Sequence, residues 1–132
     1  LPSLIVLAWA ALAWTPAAQA EIRAGAAKVD ITDLDAGPVN DPLYVKALVL
    51  ENGSTKAVII TIDAVSIGMI GTIPNDFMEK IRGPLQRDPG IPATSLLVNT
   101  SHCHGKVCRD IDVRTVRCVQ QAWARRVPVP SP

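Results

Sequence analysis

Two aliphatic runs, residues 43–51 and 56–63, flank Asn52-Gly53, and this pair constrains the fold more than any other stretch of the chain. Glycine after asparagine supplies the positive φ angles that a tight antiparallel connection requires, so the spacing predicts a β-hairpin. The second arm, Ala57-Val58-Ile59-Ile60-Thr61-Ile62, is apolar almost throughout. Strands that lose the alternation of polar and apolar side chains are usually covered on both faces, which predicts helices above and below this one.

Around the hairpin the remaining elements are shorter. Residues 26–32 read as a first strand, with Lys28 and Asp30 alternating against Val29 and Ile31. Gly37, Pro38, Asn40 and Pro42 mark residues 33–42 as a loop. Pro74 suits the first position of a helix carrying Phe77, Met78, Ile81 and Leu85 on one side. Gly83-Pro84 is expected to end or kink that helix early. Residues 95–99 read as a strand that leads directly into Thr100-Ser101-His102-Cys103-His104-Gly105. Asp112 is the expected N-cap of a second helix, with Val113, Val116, Val119 and Trp123 on its apolar side. Prolines 128, 130 and 132 stop it. The order strand, hairpin, helix, strand, helix gives an α/β fold with a mixed sheet, expected to be an incomplete piece of a larger α/β domain.

The first twenty residues differ in kind. Positions 1–20 carry no charge, contain the run Leu4-Ile5-Val6-Leu7-Ala8, and end in Ala18-Gln19-Ala20 with Pro16 just upstream. An apolar segment followed by a small-x-small site is what a signal peptidase accepts, and it is too short to span a bilayer comfortably. The expectation is an exported protein: a signal peptide over 1–20, cleaved near Ala20, then a truncated domain segment over 21–132. Neither an initiator Met nor a positive region precedes the apolar run, so the sequence reads as clipped at its N-terminus.

Thirteen Lys+Arg against twelve Asp+Glu, with no long run of either sign, argue against nucleic acid as the partner. Arg114, Arg117, Arg125 and Arg126 read first as a solvated helix face, with peripheral contact to a membrane surface the lesser alternative. Three cysteines cannot all enter one disulfide framework. Cys108 could pair with Cys103 or Cys118, or the thiols could join His102 and His104 in a metal-sequestering set, but their spacing matches no zinc-ribbon or redox pattern.

The chemistry concentrates in the two histidines. His102 and His104 are the only ones in the chain and lie two apart, directly after a predicted strand. In extended backbone such positions point to one face, so both imidazoles could converge on a metal. Two other HxH arrangements do not fit. A metallo-β-lactamase-like HxHxDH needs Asp at position 106 and His at 107, where this chain has Lys106 and Val107. Amidohydrolase barrels carry HxH on their first strand, whereas here at least three strands come before it. Asp63, at the end of the hairpin's second arm, could orient a histidine, although capping the following turn is its more ordinary role.

Five stretches in order resemble the start of the neutral/alkaline, non-lysosomal ceramidase family. They are Ala24-Gly25-Ala26-Ala27-Lys28-Val29-Asp30-Ile31-Thr32, Asn40-Asp41-Pro42-Leu43-Tyr44-Val45-Lys46-Ala47-Leu48-Val49-Leu50, Ile59-Ile60-Thr61-Ile62-Asp63, Gly90-Ile91-Pro92, and Val98-Asn99-Thr100-Ser101-His102-Cys103-His104-Gly105. The resemblance implies an exported zinc amidohydrolase that cleaves the N-acyl bond of ceramide or a related lipid amide with a zinc-activated water. It implies that His102 is a ligand to one zinc ion and that His104 lies beside the substrate. It also implies that the remaining ligands (a second His, a Glu and a Tyr) and the serine assigned as nucleophile come from downstream, so that this chain alone lacks a complete active site. Small exported binding or metal-sequestering domains without catalysis are the alternative. Cys103 stands where the family motif has Thr, and Lys106-Val107 stand at or near its Ser-Gly-Pro. The family's glycine-rich loop between the first two strands is cut here to residues 33–39.

Overall fold

The computed structural model describes residues 21–130, so the expected signal peptide lies outside the described residues. Five strands and two helices follow in the order β1 (Ile22–Asp30), β2 (Tyr44–Asn52), β3 (Thr55–Ile62), α1 (Phe77–Arg87), β4 (Leu96–Thr100), α2 (Ile111–Ala124) and β5 (Val127–Pro128). The predicted hairpin forms with Leu48 opposite Ile59 and Asn52 opposite Thr55, and Gly53 turns it at φ +58°. β1 adds antiparallel to β2, and β5 adds antiparallel to β1. After α1 crosses over, β4 joins β3 in parallel. The result is a mixed, open sheet of order β4-β3-β2-β1-β5 in an α/β fold, consistent with an incomplete piece of a larger domain.

One side of the sheet carries the core. Val45, Val49, Val58, Ile60 and Ile62 are essentially inaccessible and pack with Phe77, Ile81 and Leu85 of α1 and Val119 of α2. Each such side chain removes enough apolar surface from water to contribute about 1.5–3 kcal/mol. The opposite side is not covered as the apolar run of β3 predicted: Ile59 is 36% exposed. The cross-strand registers line up Leu97, Ile59, Leu48 and Ala26 in one row on that open face. The core lies on one side only, so β3 alternates in burial although its sequence does not alternate in polarity.

Both helices depart from the sequence reading. α1 starts at Phe77, after Asp76, and runs through Gly83-Pro84 to Arg87. Pro84 forfeits one amide hydrogen bond, but its carbonyl accepts from the Asp88 amide at 2.9 Å, and burial of Leu85 holds the last turn against the core. α2 is preceded by Asp110 rather than Asp112, and the Asp110 carboxylate pairs with Arg114 at 3.0 Å. Its buried stripe is Ile111, Thr115, Cys118, Val119 and Ala122, while Val113 is 63% exposed. Thr115 can lie inside because its hydroxyl donates to the Ile111 carbonyl at 2.7 Å, and the Cys118 thiol donates to the carbonyls of Ala27 and Val45. The chain after α2 does more than stop the helix, since Val127-Pro128 form β5. β1 likewise begins four residues earlier than position 26 and ends at Asp30. Among the described residues no helix is long and apolar enough to cross a membrane.

Two close approaches fix α2 on the sheet. The Trp123 ring meets two cations, the Arg126 guanidinium 3.3 Å from its centroid and the Lys56 ammonium at 4.7 Å. Arg126 also pairs with Glu51 at 2.9 Å. On β1, Gly25 is buried so tightly that a Cβ there would sit 2.1 Å from the Ala122 carbonyl oxygen. A backbone atom cannot step aside as a flexible side chain can, so Gly25→Ala has to push α2 off the sheet. We expect that substitution to cost about 1–3 kcal/mol. Urea denaturation should show the midpoint falling, and an unchanged midpoint would mean that α2 does not rest on β1 as described.

Candidate functional site

The parallel strands β3 and β4 end side by side, and the segments beyond them remain bonded to each other. The Ser101 amide donates to the Ile62 carbonyl at 3.0 Å, and the Cys103 amide donates to the Ala64 carbonyl at 3.1 Å. Between these two bonds His102 adopts φ +58°, the left-handed region, which costs an L-residue roughly 1–2 kcal/mol. His102 is therefore not in extended backbone, and the i, i+2 argument for a shared face does not apply to it. The two rings nevertheless lie close, with centroids 5.1 Å apart and planes at 88°.

The His102 ring has a defined partner. Its Nδ1 lies 3.0 Å from the Val65 carbonyl oxygen. A carbonyl can only accept, so Nδ1 carries a proton, and in the neutral imidazole Nε2 is then the nitrogen with the lone pair. That is the tautomer in which a histidine ligates through Nε2, with its other nitrogen steadied by a carbonyl. Among the described residues no hydrogen bond fixes the ring of His104.

Beneath this turn lies a polar cluster. Asp63, just past β3, accepts from the Tyr44 amide at 3.0 Å, from Ser101 Oγ at 3.1 Å and from Lys46 Nζ at 3.0 and 3.1 Å. Its side chain is only 15% exposed. Burial raises the pKa of the Asp63 carboxyl, but the hydrogen bonds from Lys46, Tyr44 and Ser101, with the Lys46 charge, together bring it below the ordinary carboxylate value. Asp63 touches neither histidine ring directly; it holds the residue before His102. The sequence reading named Lys46 and Ser101 within its motif stretches but gave neither a role at this site. Strand register contained the signal for Lys46, which stands opposite Thr61 on the face that Asp63 reaches two residues later.

Downstream of the histidines the chain turns back along β1. The Cys108 amide donates to the Ile31 carbonyl at 2.8 Å, and the Asp33 amide donates to the Lys106 carbonyl at 3.1 Å. Between this segment and the 33–41 loop opens a cleft of about 500 Å³, lined in part by Asp33, Val39, Leu43, Cys103 and Lys106. Cys103, which separates the two histidines, thus faces the cleft.

All three cysteines are free. Burial, assisted by a hydrogen bond to Asp110, pushes the Cys108 thiol up to about 11, and burial pushes Cys118 up to about 11. Both stay protonated near neutral pH, which is unfavourable for a thiolate ligand. Among the described residues no three His, Cys, Asp or Glu side chains come together to hold a metal ion, so His102, Cys103, His104 and Cys108 do not assemble into the sequestering set.

The depressed Asp63 pKa has a consequence for stability. Its contribution is fully present above the unfolded-state value of about 3.9 and is lost as pH falls through the lower folded-state value. Asp63→Asn should destabilise the chain at pH 7 by about 1–2 kcal/mol, on the scale of hydrogen bonds to a charged group. The gap from the parent chain should narrow as pH drops below about 4. Urea midpoints at pH 7 and pH 3 check this, and a gap independent of pH would contradict it.

No protein-family model and no curated protein matches this sequence. Solved structures do match it. One is a ceramidase complexed with C2, at 18% identity and a TM-score of 0.65 over 83% of this chain. Another is the neutral ceramidase from Pseudomonas aeruginosa, at 17% identity and a TM-score of 0.66, again over 83% of this chain. The match spans only 22% of the length of either ceramidase. At such identity the likeness establishes the fold, and this chain therefore has the fold of a segment of neutral ceramidase.

Proposed function

We propose that this chain is the histidine-bearing N-terminal segment of an exported, zinc-dependent amidohydrolase that cleaves the N-acyl bond of ceramide or a related lipid amide. The observation that carries this reading is the fold shared with two ceramidases, with both histidines of the chain set where the parallel strand pair ends. The motifs in the sequence point the same way, and the uncharged leader ending in Ala18-Gln19-Ala20 supports export.

The donor chemistry fits one zinc ligand. His102 has Nδ1 tied to the Val65 carbonyl and Nε2 available, which suits imidazole ligation. The other ligands belong to sequence beyond this segment in this reading. A zinc ion held there would supply Lewis acidity and water activation. In this reading His104, its ring 5.1 Å from that of His102, hydrogen-bonds the substrate amide. The cleft beside Cys103, with Val39 and Leu43 among its lining, offers apolar wall next to polar groups. Such a mixture suits a lipid amide better than a fully polar substrate.

The reading is tested in the full natural polypeptide by two substitutions. His102→Ala should remove bound zinc, measured by metal analysis of the purified protein, and with it hydrolysis of an N-acyl sphingosine. His104→Ala should keep the zinc and lower kcat/KM by about 10²-fold or more. Unchanged zinc content in His102→Ala would refute the assignment.

A further inference from the structure

We infer that Asp63, braced by Lys46, is a positioning residue that acts through Ser101 to hold His102 in its left-handed conformation, with Nδ1 on Val65 and Nε2 presented outward. The inference rests on the proposed role of His102 as a ligand for the use of that geometry, though not for the geometry itself.

The strain at His102 has to be held from outside. A histidine at φ +58° relaxes toward extended backbone unless both flanking peptides are tethered. The tether after it is the Cys103 amide on the Ala64 carbonyl. Before it there are three: the Thr100 hydroxyl on the Val65 carbonyl at 3.4 Å, the Ser101 amide on the Ile62 carbonyl, and the Ser101 hydroxyl on Asp63 Oδ1 at 3.1 Å. The last is the shorter of the two side-chain tethers and belongs to the residue adjoining His102, so it can be removed by substitution while the ladder stays intact.

Asp63 suits that role because its own position is over-determined. Oδ2 accepts from the Tyr44 amide, and both oxygens accept from Lys46 Nζ at 3.0–3.1 Å. The carboxylate is thereby locked to the start of β2, and β2 is itself paired along its whole length. Ser101 is thus anchored to the sheet instead of to another loop. A carboxylate needed only to bridge β2 and β3 would be satisfied by Tyr44 and Lys46 and would leave Ser101 to solvent.

The experiment uses the full natural polypeptide and reads His102 in two ways. Ring-nitrogen chemical shifts report its tautomer without any metal, and competition titration with Zn²⁺ alone reports its use as a ligand. Ser101→Ala and Asp63→Ala should both shift the His102 nitrogens away from the pure Nδ1–H pattern while leaving His104 unchanged. Both should weaken Zn²⁺ binding about 10- to 100-fold, as loss of a partner behind a ligand does. Ser101→Thr, which keeps the hydroxyl, should restore the nitrogen pattern. Should Asp63→Ala fail to fold, Ser101→Ala carries the test alone, because it leaves Asp63, Tyr44 and Lys46 in place. His102 nitrogens unchanged in Ser101→Ala would overturn the inference, whatever happened to stability. A shifted tautomer in a chain whose parent binds no Zn²⁺ would uphold the positioning role and refute the metal reading.

Discussion

The site depends on β3 lying between β2 and β4. On one edge it pairs antiparallel with β2, and on the other parallel with β4, so its last residues adjoin both the start of β2 and the end of β4. Only a strand with neighbours of opposite direction brings those two ends to one place. Asp63 stands there and bonds to both, to Tyr44 and Lys46 on one side and to Ser101 on the other. What holds β3 in place is its inward face, since Val58, Ile60 and Ile62 are all but inaccessible beneath the helices. A one-residue slip in its register would turn those three outward and move Asp63 away from β2. Core packing and site geometry are therefore set by the same register.

How much of this could be read from the residues varies with how local the determinant is. The hairpin was legible because Asn52-Gly53 carries its own turn chemistry, and the mixed α/β order followed from the spacing of the runs. The buried stripe of α2 was harder to see. A reading by hydrophobicity selects Val113, yet the sheet takes Thr115 and Cys118, whose polar atoms are satisfied within the helix and by strand carbonyls. Pro84 misled for the opposite reason, since its local cost is real but Leu85, one residue on, is wholly buried. Within the site, the two histidines were visible as a pair. The Asp63–Ser101 bond joins residues 38 apart, and no local pattern can announce such a contact.

The open face of the sheet bears on what kind of body this chain forms. Leu97, Ile59 and Leu48 lie in one row across β4, β3 and β2, each at least 36% exposed. Apolar β-branched and leucine side chains on consecutive strands are what a sheet carries where a second layer covers it. The same strands have polar or charged residues at the site end, with Lys46 opposite Thr61 and Thr61 opposite Asn99. The apolar row lies at mid-sheet and the polar row next to the histidines, an arrangement that leaves room for cover on the face without blocking the site.

The two histidines, though neighbours, are held in different ways. A metal ligand works best with its ring orientation and proton already settled, because every alternative rotamer or tautomer competes with binding. His102 meets that requirement: its backbone is tethered on both sides and its Nδ1 is committed to Val65. A group that must follow a substrate through a change of shape gains from the opposite condition. His104 has no such anchor among the described residues, and its ring lies edge-on to that of its neighbour, 5.1 Å away. The fold thus ties down one ring of the pair through a hydrogen bond and leaves the other without one among the described residues.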